Sequence, residues 1–122
     1  MTGFGEHLRV KRLSLNGQKP GHYSLRRVSR EAGINPSYLS LIENGKQAPP
    51  GEETTVRLAG ILREDPDALL ALGGKVASDL QKIITTRPTI LANLLRALES
   101  QPDEAILRIM EDLQSGHPEN AQ

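Results

Sequence analysis

A short run of residues after position 35 carries side chains suited to recognition rather than to catalysis. Ser37 and Ser40 have hydroxyls that donate or accept hydrogen bonds, and Tyr38 has a ring that stacks and a phenol that reaches an anion. Pro36 and Leu41 add small apolar surfaces. Such groups can contact the edges of nucleic-acid bases, including the methyl group of thymine. For Tyr38 the alternative is packing against the first helix.

Basic and polar residues flank this run, and their chemistry suits phosphate. The candidates are Ser24, Arg26, Arg27, Asn44, Lys46 and Lys19. Phosphate contacts come from cations, hydroxyls, backbone amides and helix N-termini. The alternatives stay open, because Asn44 before Gly45 is also ordinary helix-stop chemistry and Arg26 and Arg27 can form a solvated helix face.

The charge of the chain is divided unevenly along its length, although the net charge is zero. Up to Pro49 there are eight basic and three acidic residues, a balance of +5, and the remainder therefore carries −5. A basic half beside an acidic half is typical of a DNA-binding face joined to an assembly or partner-binding segment. The alternative is that both halves are ordinary solvated surface.

Composition and motifs argue against several classes of protein. The chain has no cysteine, which excludes disulfides and thiolate zinc sites and fits a reducing compartment. Neither a membrane-spanning apolar run nor a signal peptide is evident, so we expect a cytoplasmic protein. Three scattered histidines, His7, His22 and His117, lack metal-ligand spacing. With no phosphate-binding glycine loop or nucleophile elbow, we expect no enzyme, no cofactor and no metal.

The positioning elements are predicted to be helical throughout. The first helix covers about Phe4 to Leu15 and stops at Asn16-Gly17. A second begins after an N-cap at Ser24 and ends at Gly33, where a left-handed backbone favours glycine. A third helix has Asn35 as its cap and Pro36 as its first residue, and it ends at Gly45. Its Leu39 and Ile42 face inward, as do Val28 of the second helix and Ile34 of the turn.

Two further helices complete the first domain, and about three short ones follow. The fourth starts near Gly51 and buries Val56, Leu58, Ala59 and Leu62. The fifth has Asp65 as cap and Pro66 first, and buries Leu69, Leu70 and Leu72. We place a domain boundary at Gly73-Gly74, so residues 1–74 form one domain, residues 75–115 a helical segment and residues 116–122 a flexible tail.

The string SLRRVSREAGINPSYLSLIENGKQAPP, residues 24–50, resembles the helix-turn-helix of the Cro/phage-repressor-like regulators, the xenobiotic-response-element family. The resemblance extends over about Phe4 to Leu72. It implies an all-α fold with a five-helix repressor-like DNA-binding domain. It also implies a transcriptional regulator, preferentially a repressor, that reads double-stranded DNA by placing the third helix in the major groove.

The sequence departs from the family pattern in two places. Leu41 stands where relatives often carry a polar or basic side chain, and no Arg, Asn or Gln occupies the exposed first turn, so base readout should be modest. The connection from Asn16 to Tyr23 is longer than usual and carries Lys19 and His22. It either reaches flanking phosphates or is a neutral insertion, which we favour slightly.

The C-terminal helices carry more apolar surface than such short elements can bury alone. We therefore expect a two-fold homodimer on a palindromic operator, with an interface built from Ile84, Leu91, Leu94, Leu95, Leu98, Ile106, Ile109 and Met110. One alternative is that these helices complete the monomer core. The other is an antitoxin-like or peptidase-paired regulator whose acidic C-terminal half binds a protein partner.

Overall fold

The computed structural model describes residues 3–116, and within them the chain forms eight α-helices and no strand. The helices are α1 (Phe4–Gln18), α2 (Leu25–Ala32), α3 (Pro36–Glu43), α4 (Glu52–Leu62), α5 (Pro66–Leu72), α6 (Ser78–Thr86), α7 (Pro88–Leu98) and α8 (Asp103–Ser115). The predicted all-α fold, with five helices followed by about three short C-terminal ones, is confirmed. Two units are distinguishable, one ending at Leu80 and one beginning at Gln81.

The turn between α2 and α3 forms as the sequence predicts, because each signal is local. The Ser24 hydroxyl accepts from the amide of Arg27, and Gly33 adopts a φ of 74°. The Asn35 carboxamide oxygen accepts from the amide of Ser37, with Pro36 as the first helical residue. Both helices of the motif therefore begin at a side-chain cap, which satisfies amides that a helix N-terminus leaves unpaired.

The core of the first unit is aliphatic except for one phenylalanine, and it draws on all five of the unit's complete helices. It contains Phe4, Leu8, Leu15, Val28, Ala32, Leu39, Ile42, Leu58, Ala59, Leu62 and Leu69. Ile34, in the turn, is half-buried and packs against this cluster. The predicted inward face of α2 and α3 is therefore confirmed, and it fixes the angle at which the two helices meet.

Helix α1 is longer than predicted. The helix continues through Asn16 and Gly17 to Gln18. The Asn16 side chain accepts hydrogen bonds from the amides of Gly21 and Tyr23 and so orders the loop beyond the helix. Leu13 on this helix is 48% exposed. The prediction of a stop at Asn16-Gly17 was wrong.

Three other details of the helices were predicted wrongly. Val56 is 41% exposed, and Thr55 is buried in its place with its hydroxyl donating to the carbonyl of Pro50. Leu72, at the end of α5, is exposed. Helix α3 ends at Glu43 with Asn44 as its C-cap, two residues before Gly45. In α4 the buried stripe begins at a threonine because the hydroxyl has a partner, which hydropathy alone does not register.

The second unit has no buried side chain among its described residues. The predicted interface residues fall into two groups. Half-buried are Ile84, Leu91, Leu98 and Ile106, and exposed are Leu94, Leu95, Ile109 and Met110. Of the tail predicted to be flexible, residues 117–122, with His117, lie outside the described residues.

Candidate nucleic-acid interface

A buried ion pair fixes α3 against α1. The Arg12 guanidinium donates from Nε to Glu43 Oε2 at 2.8 Å and from Nη2 to Glu43 Oε1 at 2.9 Å, and its Nη1 donates to the carbonyl of Tyr23 at 3.3 Å. Only 11% of the Arg12 side chain and 4% of the Glu43 side chain are exposed. The two parallel bonds hold the last turn of α3, and thereby the direction of the whole helix, relative to α1.

Sequence reasoning missed this pair because it counted Arg12 and Glu43 only as charges. One signal was available. Glu43 follows Leu39 by four residues and so shares the inward face of α3, where an acid requires a buried cation. The partner lies 31 residues away and could not be identified from spacing.

The exposed surface of α3 carries the predicted base-reading run in graded exposure. Pro36, Ser37 and Leu41 are exposed, whereas Ser40 and Tyr38 are half-buried. Tyr38 also packs against the core, which is the arrangement given as its alternative. The exposed members of this run are therefore two apolar residues and one serine.

The Ser37 hydroxyl is already engaged within the motif. Its Oγ donates to Asn35 Oδ1 at 2.6 Å, and the same oxygen accepts from the Ser37 amide at 2.9 Å. The hydroxyl proton of Ser37 is thus used in the bond to Asn35, and the lone pairs of the hydroxyl oxygen remain available. Towards a base, Ser37 can act as an acceptor, which suits the amino groups of adenine and cytosine.

The residues that follow α3 lie at the surface. Asn44 is exposed, and its Nδ2 is 3.5 Å from Ser40 Oγ. Gly45 has a φ of 74°, and the amides of Lys46 and Gln47 both donate to the carbonyl of Leu41. The loop is thereby ordered with the Lys46 side chain exposed to solvent. Gln47 is exposed beside it and was not among the predicted residues.

The candidates for phosphate contact on α2 surround its capped N-terminus. A shallow depression is lined by Gly21, Ser24, Arg26, Arg27 and Arg30. This brings together three of the six predicted phosphate residues. It also adds an arginine that sequence reasoning passed over, although its spacing of four from Arg26 places both on one side of a helix.

Two of the predicted phosphate residues, Arg27 and Lys19, have different surroundings. Arg27 Nε lies 3.6 Å from Glu31 Oε1, a solvent-exposed pair of the kind that contributes little to stability. Lys19 is exposed at the end of α1 and is not part of the depression. The Asn16 cap keeps the loop from Lys19 to Tyr23 compact, so the longer connection is an ordered turn.

In the part of the chain that the structure describes, no group of three His, Asp or Glu residues could hold a metal ion. None of the helices described is long and apolar enough to cross a membrane.

Comparison with known proteins gives one finding. Residues 19–69 match the family model described as the helix-turn-helix, of Cro/C1 type. This span begins at the end of α1 and continues into α5, and it includes every base-reading and phosphate candidate named above. No curated protein and no solved structure matches the chain significantly.

Proposed function

We propose that this chain, a DNA-binding transcriptional regulator with a Cro/C1-type helix-turn-helix over residues 19–69, is a repressor that binds a palindromic operator as a homodimer. The observation that carries the proposal is the geometry of the motif. Helices α2 and α3 are both capped, meet at a left-handed Gly33 and leave one side of α3 exposed. A regulator of this size represses by occupying DNA that polymerase needs.

In the proposed complex α3 lies in the major groove and its first turns face the bases. Base readout is assigned to Pro36, Ser37, Tyr38, Ser40 and Leu41. The exposed Pro36 and Leu41 meet thymine methyl groups, and the Ser37 oxygen accepts from a base amino group. Tyr38, being half-buried, contributes mainly its exposed edge. These base contacts give one motif only weak sequence discrimination, so much of the binding free energy must come from contacts to the DNA phosphate backbone.

Phosphate contacts are assigned to two groups of residues, those that precede or form α2 and those in the loop after α3. The residues are Ser24, Arg26, Arg27, Asn44, Lys46 and Lys19, joined by Arg30. The helix N-terminus supplies oriented amides and a partial positive charge, and the arginines supply full charges. Since both groups lie within one compact unit, they can fix the register of α3 on the duplex.

A dimer supplies the DNA affinity that a single helix-turn-helix domain lacks. From Gln81 to Gly116 eight large apolar side chains are exposed: Ile83, Ile90, Leu94, Leu95, Leu107, Ile109, Met110 and Leu113. Their exposed parts amount in total to roughly 800 Å², about what each partner buries in a standard interface. Residues 75–115 are therefore proposed as the dimerisation segment, with the second copy as the occupant.

We expect Lys46→Ala to weaken binding to all DNA sequences by a similar factor, about threefold to tenfold at low salt, because it removes a phosphate contact. The slope of log Kd against log salt should fall by about one unit. Electrophoretic mobility shifts over a salt series measure both. Lys82→Ala, which removes an exposed lysine from α6, is the matched control and should bind as the wild type.

We expect Ser37→Ala and Leu41→Ala, in contrast, to change the ranking of sequences rather than the mean affinity. A uniform loss in these two variants would contradict their assignment to base readout. A Lys46→Ala variant with an unchanged salt slope would contradict the phosphate assignment.

We expect Leu94→Glu to raise the dimer dissociation constant at least tenfold, because a carboxylate would be buried in an apolar interface. Sedimentation equilibrium measures this. Leu13→Glu is the matched control, since Leu13 is exposed to a similar extent on α1 in the first unit. A wild-type chain that is monomeric at tens of micromolar would contradict the homodimer and would favour a protein partner of another kind for the same surface.

A further inference from the structure

The segment between α5 and α6 contains two adjacent glycines, yet its backbone is held by hydrogen bonds. The amide of Gly73 donates to the carbonyls of Leu69 and Leu70, and the amide of Lys75 donates to the carbonyl of Leu70. Gly74 has a φ of 75°, the left-handed conformation that closes a helix C-terminus in this way. The diglycine thus ends α5 with a fixed turn instead of forming a flexible linker.

Two side-chain contacts attach the rest of this segment to the beginning of α4. Lys75 Nζ donates to the carbonyl of Pro50 at 2.7 Å. The Glu52 carboxylate accepts twice from Ser78, from its amide at 2.9 Å and from its hydroxyl at 3.0 Å. Glu52 is the first residue of α4 and Ser78 the first residue of α6, so one carboxylate joins the beginnings of both helices.

The residues that hold the segment lie at the beginning of α4, a helix packed within the first unit. The carbonyl of Pro50 also accepts from the buried Thr55 hydroxyl, and α4 packs against α1, α2 and α5. Helix α6 then runs without interruption from Ser78 to Thr86. The first residues of α6, which belong to the unit that carries the helix-turn-helix, are therefore held by contacts within that unit.

We propose that Glu52 is a positioning residue that sets the spacing between the two half-sites a dimer can occupy, an inference that rests on the proposed homodimeric function. A dimer whose DNA-binding domains are connected by flexible linkers tolerates many half-site spacings, because the second domain samples a wide volume. A dimer in which the segment after α5 is held by hydrogen bonds occupies only the spacing that its geometry dictates. The Glu52 carboxylate confers that selectivity without touching DNA.

The test uses the full-length chain and a duplex selected from a random DNA library by the wild-type protein. Three probes are made: the selected duplex, the same duplex with about half a helical turn (~5 base pairs) inserted between half-sites, and a single half-site. The variants are Glu52→Ala and Ser78→Ala, with Ser78→Thr as the conservative rescue. Glu53→Ala, in which the neighbouring exposed acid is removed, is the control.

The wild type should lose at least about tenfold in affinity when the spacer is inserted, whereas Glu52→Ala should lose about threefold or less. Half-site affinity and the dimer dissociation constant should stay within about twofold of the wild type, which a merely destabilised protein would not show. Ser78→Thr and Glu53→Ala should behave as the wild type, and Ser78→Ala should fall between.

The outcomes of this experiment distinguish the role of Glu52 from the repressor proposal. A wild-type dimer that binds both spacings equally, or Glu52→Ala and Ser78→Ala variants with the wild-type spacing profile, would overturn the role of Glu52 and leave the repressor proposal intact. A wild-type monomer, or a wild type that selects no duplex, would overturn both. If Glu52→Ala does not fold, the Ser78→Ala profile decides.

Discussion

Glu43→Ala should lower the free energy of unfolding by about 3–5 kcal/mol, because it leaves the Arg12 guanidinium buried without its counter-charge. Arg12 would keep one bond, to the carbonyl of Tyr23, and lose both bonds to the carboxylate. Urea-induced unfolding followed by circular dichroism measures the change. The loss should appear as a lower midpoint with little change in slope.

The matched control for this pair is the double variant Arg12→Met, Glu43→Leu, which removes both charges and keeps apolar volume. We expect it to recover most of the stability, since apolar replacement of a complete buried ion pair is often neutral or stabilising. A Glu43→Ala variant within about 1 kcal/mol of the wild type would contradict the view that this pair joins α1 to α3.

Gly5→Ala should destabilise the protein by about 3 kcal/mol or more, at or above the upper end for added volume in a packed core. A methyl group at position 5 would collide with the carbonyl oxygen of Ile42 and would meet the carbonyl oxygen of Glu43 at 3.0 Å. Both are backbone atoms of α3, so no side chain can move aside. Helix α1 would have to shift from α3, weakening the Arg12–Glu43 bonds as well.

Gly17→Ala is the matched control, because it adds the same methyl group to the same helix. Nothing lies within 4 Å of that position. We expect a gain of about 0.5–1 kcal/mol, the ordinary benefit of alanine over glycine inside a helix. Thermal unfolding of the two variants would settle the comparison, and equal effects at positions 5 and 17 would show that the close approach of α1 to α3 is wrong.

The motif could be predicted from the sequence because its determinants are local. Ser24, Asn35 and Asp65 each cap the helix that follows them through an amide two or three residues later, and Gly33 turns the chain directly after α2. Three-residue rules of this kind are independent of the rest of the fold. The beginnings of α2, α3, α4 and α5 were accordingly predicted correctly.

Features that depend on which polar partner a side chain takes could not be predicted in the same way. Hydropathy assigned Val56 to the core and left Thr55 out, since it does not register that the threonine hydroxyl donates to the Pro50 carbonyl. Asn16 was predicted to stop α1, whereas it caps the loop that follows. In the candidate site, the exposed serine at position 37 was predicted, but the hydrogen bond from its hydroxyl to Asn35 was not.

Sequence-specific binding of DNA through α3 is the central element of the proposed function. Hydroxyl-radical footprinting of the wild-type protein on a duplex selected from random DNA tests it. We expect two protected inverted half-sites about one helical turn (~34 Å) apart, with protection that weakens steeply as salt rises. If no duplex is selected at low salt, or if protection shows no sequence preference, the proposed function is contradicted.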